Sequence, residues 1–422
     1  MKQSKLLIFF LAWVSVGFAQ WLSLEECFQL AEKNHPMMKQ KTPINEITKN
    51  QLTNINMKWL PTLDINLSST YQSDVTSINI NLPPTLAGTF EIPSPDQDNY
   101  KSEIEINQLV FDGGLISVQK ELAKQDNKIS LQQLEVSFQS IKSSITYVFY
   151  NLLLLDAQKI ILETWLADLE NSKEIVNSLI ANGLAEGFSL YEIEIKIHEL
   201  QQQIDENKIY RQNNLEILGE LIGEKIDDDI LMYVPKDIDN QEIMNAQSQL
   251  FDYQRERLNI ARKVTFCNRM PKIFSFGRIG YSKPGLNMLS AEVDSYYLVG
   301  VGLKWNIWDW KTNKRDREKL QFNQKIIEYT EEAYNQKTKI ELDKYQSSIS
   351  NLAQKITKDE VIIELHRKLK TSAESKFKNG IMNTTDYLKY SNDLIRSQLA
   401  MEVHHLQLFC EKVNYQILKG EL

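Results

Sequence analysis

The chain has 422 residues, 42% hydrophobic and 25% charged, with a formal net charge of -8. That balance lies in the globular range and excludes general disorder. With no basic excess and no dense Lys/Arg block to displace phosphate counterions, a nucleic-acid partner is not expected. The length suits two ordinary domains or one elongated object made from a duplicated unit.

Residues 1–19 read as a signal peptide. Lys2 and Lys5 precede an apolar run from Leu6 to Val16, and Gly17-Phe18-Ala19 supplies small residues at a cleavage site. The apolar run is too short for a spanning helix, and no Cys follows the cut to carry a lipid. Cys27, Cys267 and Cys410 are too few and too scattered for a disulfide framework, so buried free thiols are expected. After the signal no uninterrupted stretch of 18 apolar residues occurs, so any membrane crossing is expected to use strands.

Segment 20–58 is expected to be helical, opened by a capping box of Ser23 and Glu26. Segment 59–111 reads as a strand pair, with Leu63, Ile65 and Leu67 alternating against Asp64, Asn66 and Ser68. A long loop carrying Pro83-Pro84, Gly88, Pro93 and Pro95 leads to a second strand over Ile104 to Phe111. Segment 112–222 follows as a long helical hairpin. Leu115 to Asn182 contains neither Gly nor Pro over 68 residues, which allows a helix on the order of 100 Å long. Val148, Leu155, Leu162, Leu169 and Val176 recur every seven residues, with Ile145, Leu152, Leu166 and Ile180 between them and Lys159 and Lys173 as exceptions. Such a stripe also suits an ordinary coiled coil.

Segment 223–240 is a connector, in which Asp227-Asp228-Asp229 reads as a solvated loop. A helix is expected over 241–269 and a second strand pair over 270–309. One strand is Lys272 to Tyr281; a turn-rich loop from Ser282 to Asn287 joins it to the other, Tyr297 to Trp308. In that strand Tyr297, Val299, Val301, Leu303, Trp305 and Ile307 alternate with Leu298, Gly300, Gly302, Lys304, Asn306 and Trp308, a face small or polar for most of its length, the pattern of an outer face against lipid and an inner face against water. Segment 310–422 is a second long hairpin, with Leu342, Ile349, Ile356, Ile363 and Phe377 in heptad spacing and Tyr345 and Leu352 between them.

The two halves repeat. Phe111-Asp112 and Trp308-Asp309 open the long segments 197 residues apart, and Asn182-Gly183 and Asn379-Gly380 close them at the same offset. Four strands cannot close a membrane barrel, for which about 8 is the minimum, so the chain must oligomerise. Three copies supply twelve strands; the sequence alone also allows a dimer.

The order and duplication of several short motifs resemble the TolC-like outer-membrane efflux family. They are Leu22-Ser23-Leu24-Glu25-Glu26-Cys27 with Asn34-His35-Pro36, Trp59-Leu60-Pro61-Thr62-Leu63 repeated as Arg269-Met270-Pro271-Lys272-Ile273, and Leu109-Val110-Phe111-Asp112-Gly113-Gly114. The stretch from Pro271 through Asp309 is most similar to the Bacteroidetes branch. The resemblance implies an α+β membrane protein: a homotrimer with a twelve-stranded outer-membrane β-barrel, four strands per chain, continued by an antiparallel α-helical coiled-coil barrel in the periplasm. It implies a passive exit duct of a tripartite efflux or type I secretion system, coupled to a periplasmic adaptor and an inner-membrane RND or ABC transporter, with no enzymatic activity and no cofactor. Asn182, Gly183, Asn379 and Gly380 would then be the tips where the adaptor docks. Regions 73–99 and 283–294 would face outside, and Tyr297, Val299, Val301, Leu303 and Trp305 would face outer-membrane lipid. Asp386 stands where relatives place acidic residues around the periplasmic entrance; three such carboxylates around a threefold axis attract cations. Lys389 stands where a second Asp can occur, so the entrance is less acidic or gated by an Asp–Lys pair; a solvated charge near a turn is the competing reading of Asp386.

No nucleotide-, serine-hydrolase- or zinc-protease motif is present. His404-His405 point to different sides of a helix and make a poor metal clamp, and Glu192 and Glu194 sit in a helix that needs polar faces anyway. The alternative to a channel is a periplasmic or surface coiled-coil structural or adhesion protein. A trimeric adhesin would keep its strands at the C-terminus, and an adaptor would carry one hairpin rather than two equal ones.

Overall fold

A computed structural model describes residues 21–76, 96–228, 230–233, 245–288 and 292–420. The signal-peptide reading of 1–19, most of the 73–99 loop, Asp229 and the tip of the 283–294 loop lie outside the described residues. The chain divides into two compact units, one of Met1–Lys41, Gln133–Ser248 and Ala333–Leu422, the other of Thr42–Gln132 and Gln249–Glu332.

The first unit is mostly helical. Strand β1 (Trp21–Ser23) leads into helix α1 (Leu24–Asn34) through the capping box: Ser23 Oγ accepts from Glu26 N at 3.2 Å, and Glu26 Oε2 accepts from Ser23 N at 2.8 Å. Leu24, Cys27, Phe28 and Ala31 fall on one face of α1 and are buried. A short helix α2 (Pro36–Lys39) follows, and α3 (Lys41–Met57) begins at the unit's edge. The long helices α4 (Leu115–Ala181) and α7 (Thr312–Lys378) contribute their later parts, with α5 (Phe188–Ile222) and α8 (Thr384–Lys419). Ile145, Phe149 and Leu152 of α4 pack with Phe28 of α1, Leu218 of α5 and Val413 of α8 in one core cluster. A second cluster joins Leu169 and Val176 to Ile193, Leu200, Phe377 and Tyr387.

By length and composition alone α4 would cross a membrane, which qualifies the expectation that no helical segment after residue 19 could. Part of its most apolar stretch, around Phe149 and Leu152, packs in the first core cluster, so helix–helix burial accounts for part of its hydropathy.

Strand β4 (Leu231–Tyr233) pairs in parallel with β1, Trp21 opposite Leu231, inside what the sequence presented as a bare connector. Arg211 of α5 holds this connector: its guanidinium meets Asp156 at 2.6 Å and donates to the carbonyls of Asp228 at 2.7 Å and Ile230 at 3.0 Å.

The second unit centres on one antiparallel sheet, order β2-β3-β5-β6: β2 (Thr62–Tyr71), β3 (Asp98–Phe111), β5 (Lys272–Lys283) and β6 (Asp294–Lys304). The register places Ile65 opposite Ile104, Ile104 opposite Ile279, and Ile279 opposite Tyr297. Between the strand pairs runs helix α6 (Ala246–Cys267), packed on the start of α4 through Val118, Ile260 and Cys267.

Two boundaries correct the sequence reading. Strand β6 begins at Asp294 and ends at Lys304, so Trp305, Ile307 and Trp308 lie beyond it, although their alternation continues its pattern. Helix α8 starts at Thr384 rather than directly after the Asn379-Gly380 turn, because Asn383 caps it: Asn383 Oδ1 accepts from Asp386 N at 2.8 Å.

Both long helices leave the sheet through the same left-handed turn. In the first repeat Gly113 and Gly114 have φ of 72° and 86°; in the second, Trp310 and Lys311 have φ of 53° and 62°. Asp112 and Asp309 accept the first free backbone N–H groups of the helices, from Ile116 at 2.5 Å and Asn313 at 3.0 Å. A left-handed residue with a side chain costs about 1–2 kcal/mol, so the second turn carries strain that the first avoids.

Candidate functional site

Strand pairing sorts the sheet residues into two faces. One carries Leu63, Ile65 and Leu67 of β2, Ile104 and Ile106 of β3, Ile279 of β5, and Tyr297, Val299, Val301 and Leu303 of β6, all exposed in the single chain. Val299, 77% exposed, sits within the edge strand β6, where Leu298, Gly300 and Gly302 occupy the neighbouring positions of the opposite face. Trp305, 54% exposed, follows just after the strand and donates its indole N–H to the Arg269 carbonyl at 3.0 Å.

At the end of this face where the β2–β3 and β5–β6 loops emerge, each strand presents a tyrosine: Tyr71, Tyr100, Tyr281 and Tyr297, all exposed. The sequence reading singled out Tyr297 only. The signal for the others was their spacing in strand register, which shows only once the pairing is known.

The opposite face is polar towards the same end. Glu103, 6% exposed, accepts from Tyr296 Oη at 2.6 Å and pairs with Lys101 at 2.9 Å. Next to it Glu105 pairs with Arg278 at 2.9 Å and accepts from Asn66 Nδ2 at 3.3 Å. Towards the other end Phe274 and Phe276 face the same way, and the Arg278 guanidinium lies 5.7 Å from the Phe276 ring centre. Such alternation, apolar with terminal aromatics outside and charged inside, is the chemistry of a wall between lipid and water. Among the described residues β2 and β6 are edges with unpaired ladders, which a lipid environment would not tolerate.

The helix ends of the first unit are built alike. Helix α4 closes with Asn182 Nδ2 donating to Ser178 O at 2.8 Å, Gly183 at φ 72°, and Leu184 N donating to Leu179 O at 2.8 Å. Helix α7 closes with Asn379 Nδ2 donating to Ser375 O at 2.7 Å, Gly380 at φ 69°, and Ile381 N donating to Lys376 O at 2.9 Å. Each is a Schellman closure whose glycine takes the left-handed position. They are brought close: a Cβ built on Gly380 would lie 3.7 Å from Leu184 Cβ.

Just beyond the second closure, Asp386 is exposed in the first turn of α8, where the helix dipole favours a carboxylate. Lys389 is exposed one turn on, and no ion pair within 4 Å joins it to Asp386 among the described residues. The sequence reading missed the residue between them that ties the two hairpins. Tyr387 is buried, its ring stacked on Phe377 at 4.5 Å and its hydroxyl accepting from Ser172 Oγ at 3.1 Å. Burial pushes its phenol above the usual range, only partly offset by the Ser172 contact. Around it, Lys370 pairs with Asp168, Thr385 Oγ1 donates to Glu192 at 2.7 Å, and Lys173 pairs with Glu194 at 2.8 Å. Glu192 and Glu194 therefore hold helices together.

The fold is that of solved outer membrane channels. The chain is similar to the CmeC outer membrane channel of Campylobacter jejuni, at 15% identity and a TM-score of 0.65 over 94% of this chain and 85% of that one. It is similar to the outer membrane protein VceC of Vibrio cholerae, at 14% identity and a TM-score of 0.67 over 94% of this chain and 96% of that one. The open-state MtrE outer membrane channel of Neisseria gonorrhoeae matches at 14% identity and a TM-score of 0.65 over 94% and 89%. No protein-family model and no curated protein matches the sequence. At these identities the likeness is one of fold, and it meets the expectation drawn from the duplicated motifs.

Proposed function

We propose that the chain is one third of an outer-membrane exit channel, a non-enzymatic duct working with a periplasmic adaptor and an inner-membrane pump. One observation carries this reading: a four-stranded sheet with an unpartnered apolar face, a charged opposite face and two open edges. Three copies would join β6 of one chain to β2 of the next and close twelve strands in the outer membrane, with the apolar face to lipid. The helices would form the periplasmic section of the duct. The two Asn-Gly closures then serve as the adaptor-docking tips, and Asp386 contributes one of three carboxylates to the entrance. The likeness to solved outer membrane channels supports the same assignment.

The test is the mass of the detergent-purified protein together with its conductance in planar bilayers. A trimer with discrete, stable openings is expected. A monomer that stays soluble without detergent and never conducts would leave a coiled-coil scaffold as the better reading.

A further inference from the structure

The charged face of the sheet sorts its charges by position along the strands. At one end Lys272 of β5 stands directly opposite Lys304 of β6, on the same face as Phe274, Phe276 and Gly302. Neither lysine has an ion pair or side-chain hydrogen bond among the described residues. Like charges directly opposite each other weaken a strand pair, so this juxtaposition does not serve to hold β5 to β6. Two uncharged rows follow, Phe274 opposite Gly302 and then Phe276 opposite Gly300, the second in line with Asn107 and Thr62.

Beyond them the sign reverses. Asp64, Glu105 and Arg278 share one row, Glu103 and Tyr296 share the next across Gly280, and Lys101 and Asp294 share a third across Ser282. Gly280 lets the middle row close: an added Cβ would lie 2.9 Å from Glu103 Cβ, and the Tyr296 hydroxyl reaches Glu103 across it. Lys101 and Arg278 are taken up by Glu103 and Glu105, at 2.9 Å each. Asp64 and Asp294 are left exposed and without an ion pair among the described residues. This half of the face is therefore acidic on balance, and the other end carries lysine alone. From Lys272 to Arg278 the strand rises about 20 Å. That is roughly two Debye lengths at 0.1 M salt, so the two zones do not neutralise each other.

We propose that the strand section is a charge-graded pore that passes current unequally in its two directions: Lys272 and Lys304 form a cationic zone towards the helices, and Asp64 and Asp294 leave an anionic zone towards the outer mouth. The gradient rests on the channel reading above, in which this face lines the water-filled side. Fixed charges on a pore wall gather their counterions, so anions collect in the lysine zone and cations in the carboxylate zone. A voltage positive on the outer side drives both ions towards the uncharged rows between the zones and fills them with carriers. The opposite voltage draws both ions away and empties the same rows.

The experiment uses the full chain in planar bilayers, added from one side so that the helical section stays there, with potassium chloride on both sides. At 0.1 M the current is expected to be about 1.5-fold larger with the outer side positive than at the opposite voltage. At 1 M, where the Debye length falls to about 3 Å, the two currents should be equal. Two double variants locate the source. Lys272→Gln with Lys304→Gln and Asp64→Asn with Asp294→Asn should each bring the 0.1 M currents closer together. Their reversal potentials under a salt gradient should move in opposite directions, the first towards cation preference and the second away from it. Equal wild-type currents at 0.1 M, which need no variant to read, would overturn the gradient and leave the channel. Unequal currents that neither double variant alters would place the asymmetry in the helical section and overturn it equally. A chain that never conducts removes the channel and the gradient together.

Discussion

Phe276 lies flat over Gly300 across the β5–β6 pair, so close that a Cβ added at Gly300 would sit 2.6 Å from the ring's Cζ. Phe274 does the same over Gly302, at 2.4 Å. Both rings belong to the face assigned to the water-filled side, and the glycines let them lie along the wall instead of standing into the lumen. Gly300→Val should force the Phe276 ring upright, lowering single-channel conductance and costing about 1–3 kcal/mol of stability through overpacking. Adding Phe276→Ala to Gly300→Val should restore conductance. Unchanged conductance in the single variant would place these rings away from the ion path.

Glycine at two left-handed positions should respond unequally to alanine. At Gly183 nothing lies within 4 Å of an added Cβ, so Gly183→Ala should cost only the backbone strain, about 1 kcal/mol. At Gly113 the same change adds a contact of 2.3 Å with Met270 Cβ and 3.2 Å with Cys267 O, and should cost several times more. Thermal unfolding of the two variants in detergent compares them; equal losses would contradict the assignment of the Gly113 requirement to packing.

Much of this was legible in the sequence because turns and pleats constrain residue type locally. A Schellman closure needs a residue at positive φ, so Gly183 and Gly380 marked the helix ends 197 residues apart. The apolar alternation of Tyr297, Val299, Val301 and Leu303 reported the exposed face of β6, but not where the strand stops. Side-chain alternation persists through Trp305 and Ile307 after backbone pairing has ended, because periodicity records sidedness and not hydrogen bonding. Features made by residues distant in sequence left no local trace. Tyr296 and Glu103 lie far apart in the chain yet form one hydrogen bond, and the parallel β1–β4 pair is only three residues long. Tyr387 was passed over beside Asp386, although an aromatic there was the better sign of a packed joint.

That joint should be measurable. Tyr387→Phe keeps the stacking on Phe377 and removes the Ser172 hydrogen bond, for an expected loss of about 1 kcal/mol. Tyr387→Ala also empties a buried volume and should lose about 3–5 kcal/mol. If both variants unfold at the wild-type temperature, the contact does not hold the hairpins together.

The buried thiols set an alkaline limit on stability. Burial pushes Cys27 and Cys410 from 9.0 up to about 12. In the unfolded chain they ionise from about pH 9, while the folded chain keeps the protons, so the unfolded state binds fewer protons across that interval. The stability these groups contribute is complete below pH 9 and is lost as the pH rises towards 12. Each group should tilt stability by at most ~1.4 kcal/mol per pH unit. Cys27→Ala should flatten the decline between pH 9 and the highest pH at which the protein remains folded; an unchanged slope would mean the thiol is not the titrating group.

Asp386 separates two roles that its position makes possible. As the third residue of α8 it receives the helix dipole, so Asp386→Asn should cost no more than about 0.3–1 kcal/mol at an exposed site. As one of three carboxylates at an entrance it would concentrate cations, so the same change should lower the cation preference of the open channel at low salt and have less effect at high salt, where screening shortens its reach. Lys389 forms no pair with it in the single chain, so Lys389→Gln should strengthen cation preference rather than release a locked gate. Reversal potentials under a salt gradient read both variants. A shift in Asp386→Asn that disappears at high salt supports the entrance ring; equal reversal potentials at all salt concentrations, with a small loss of stability, would leave Asp386 as a helix-terminal charge.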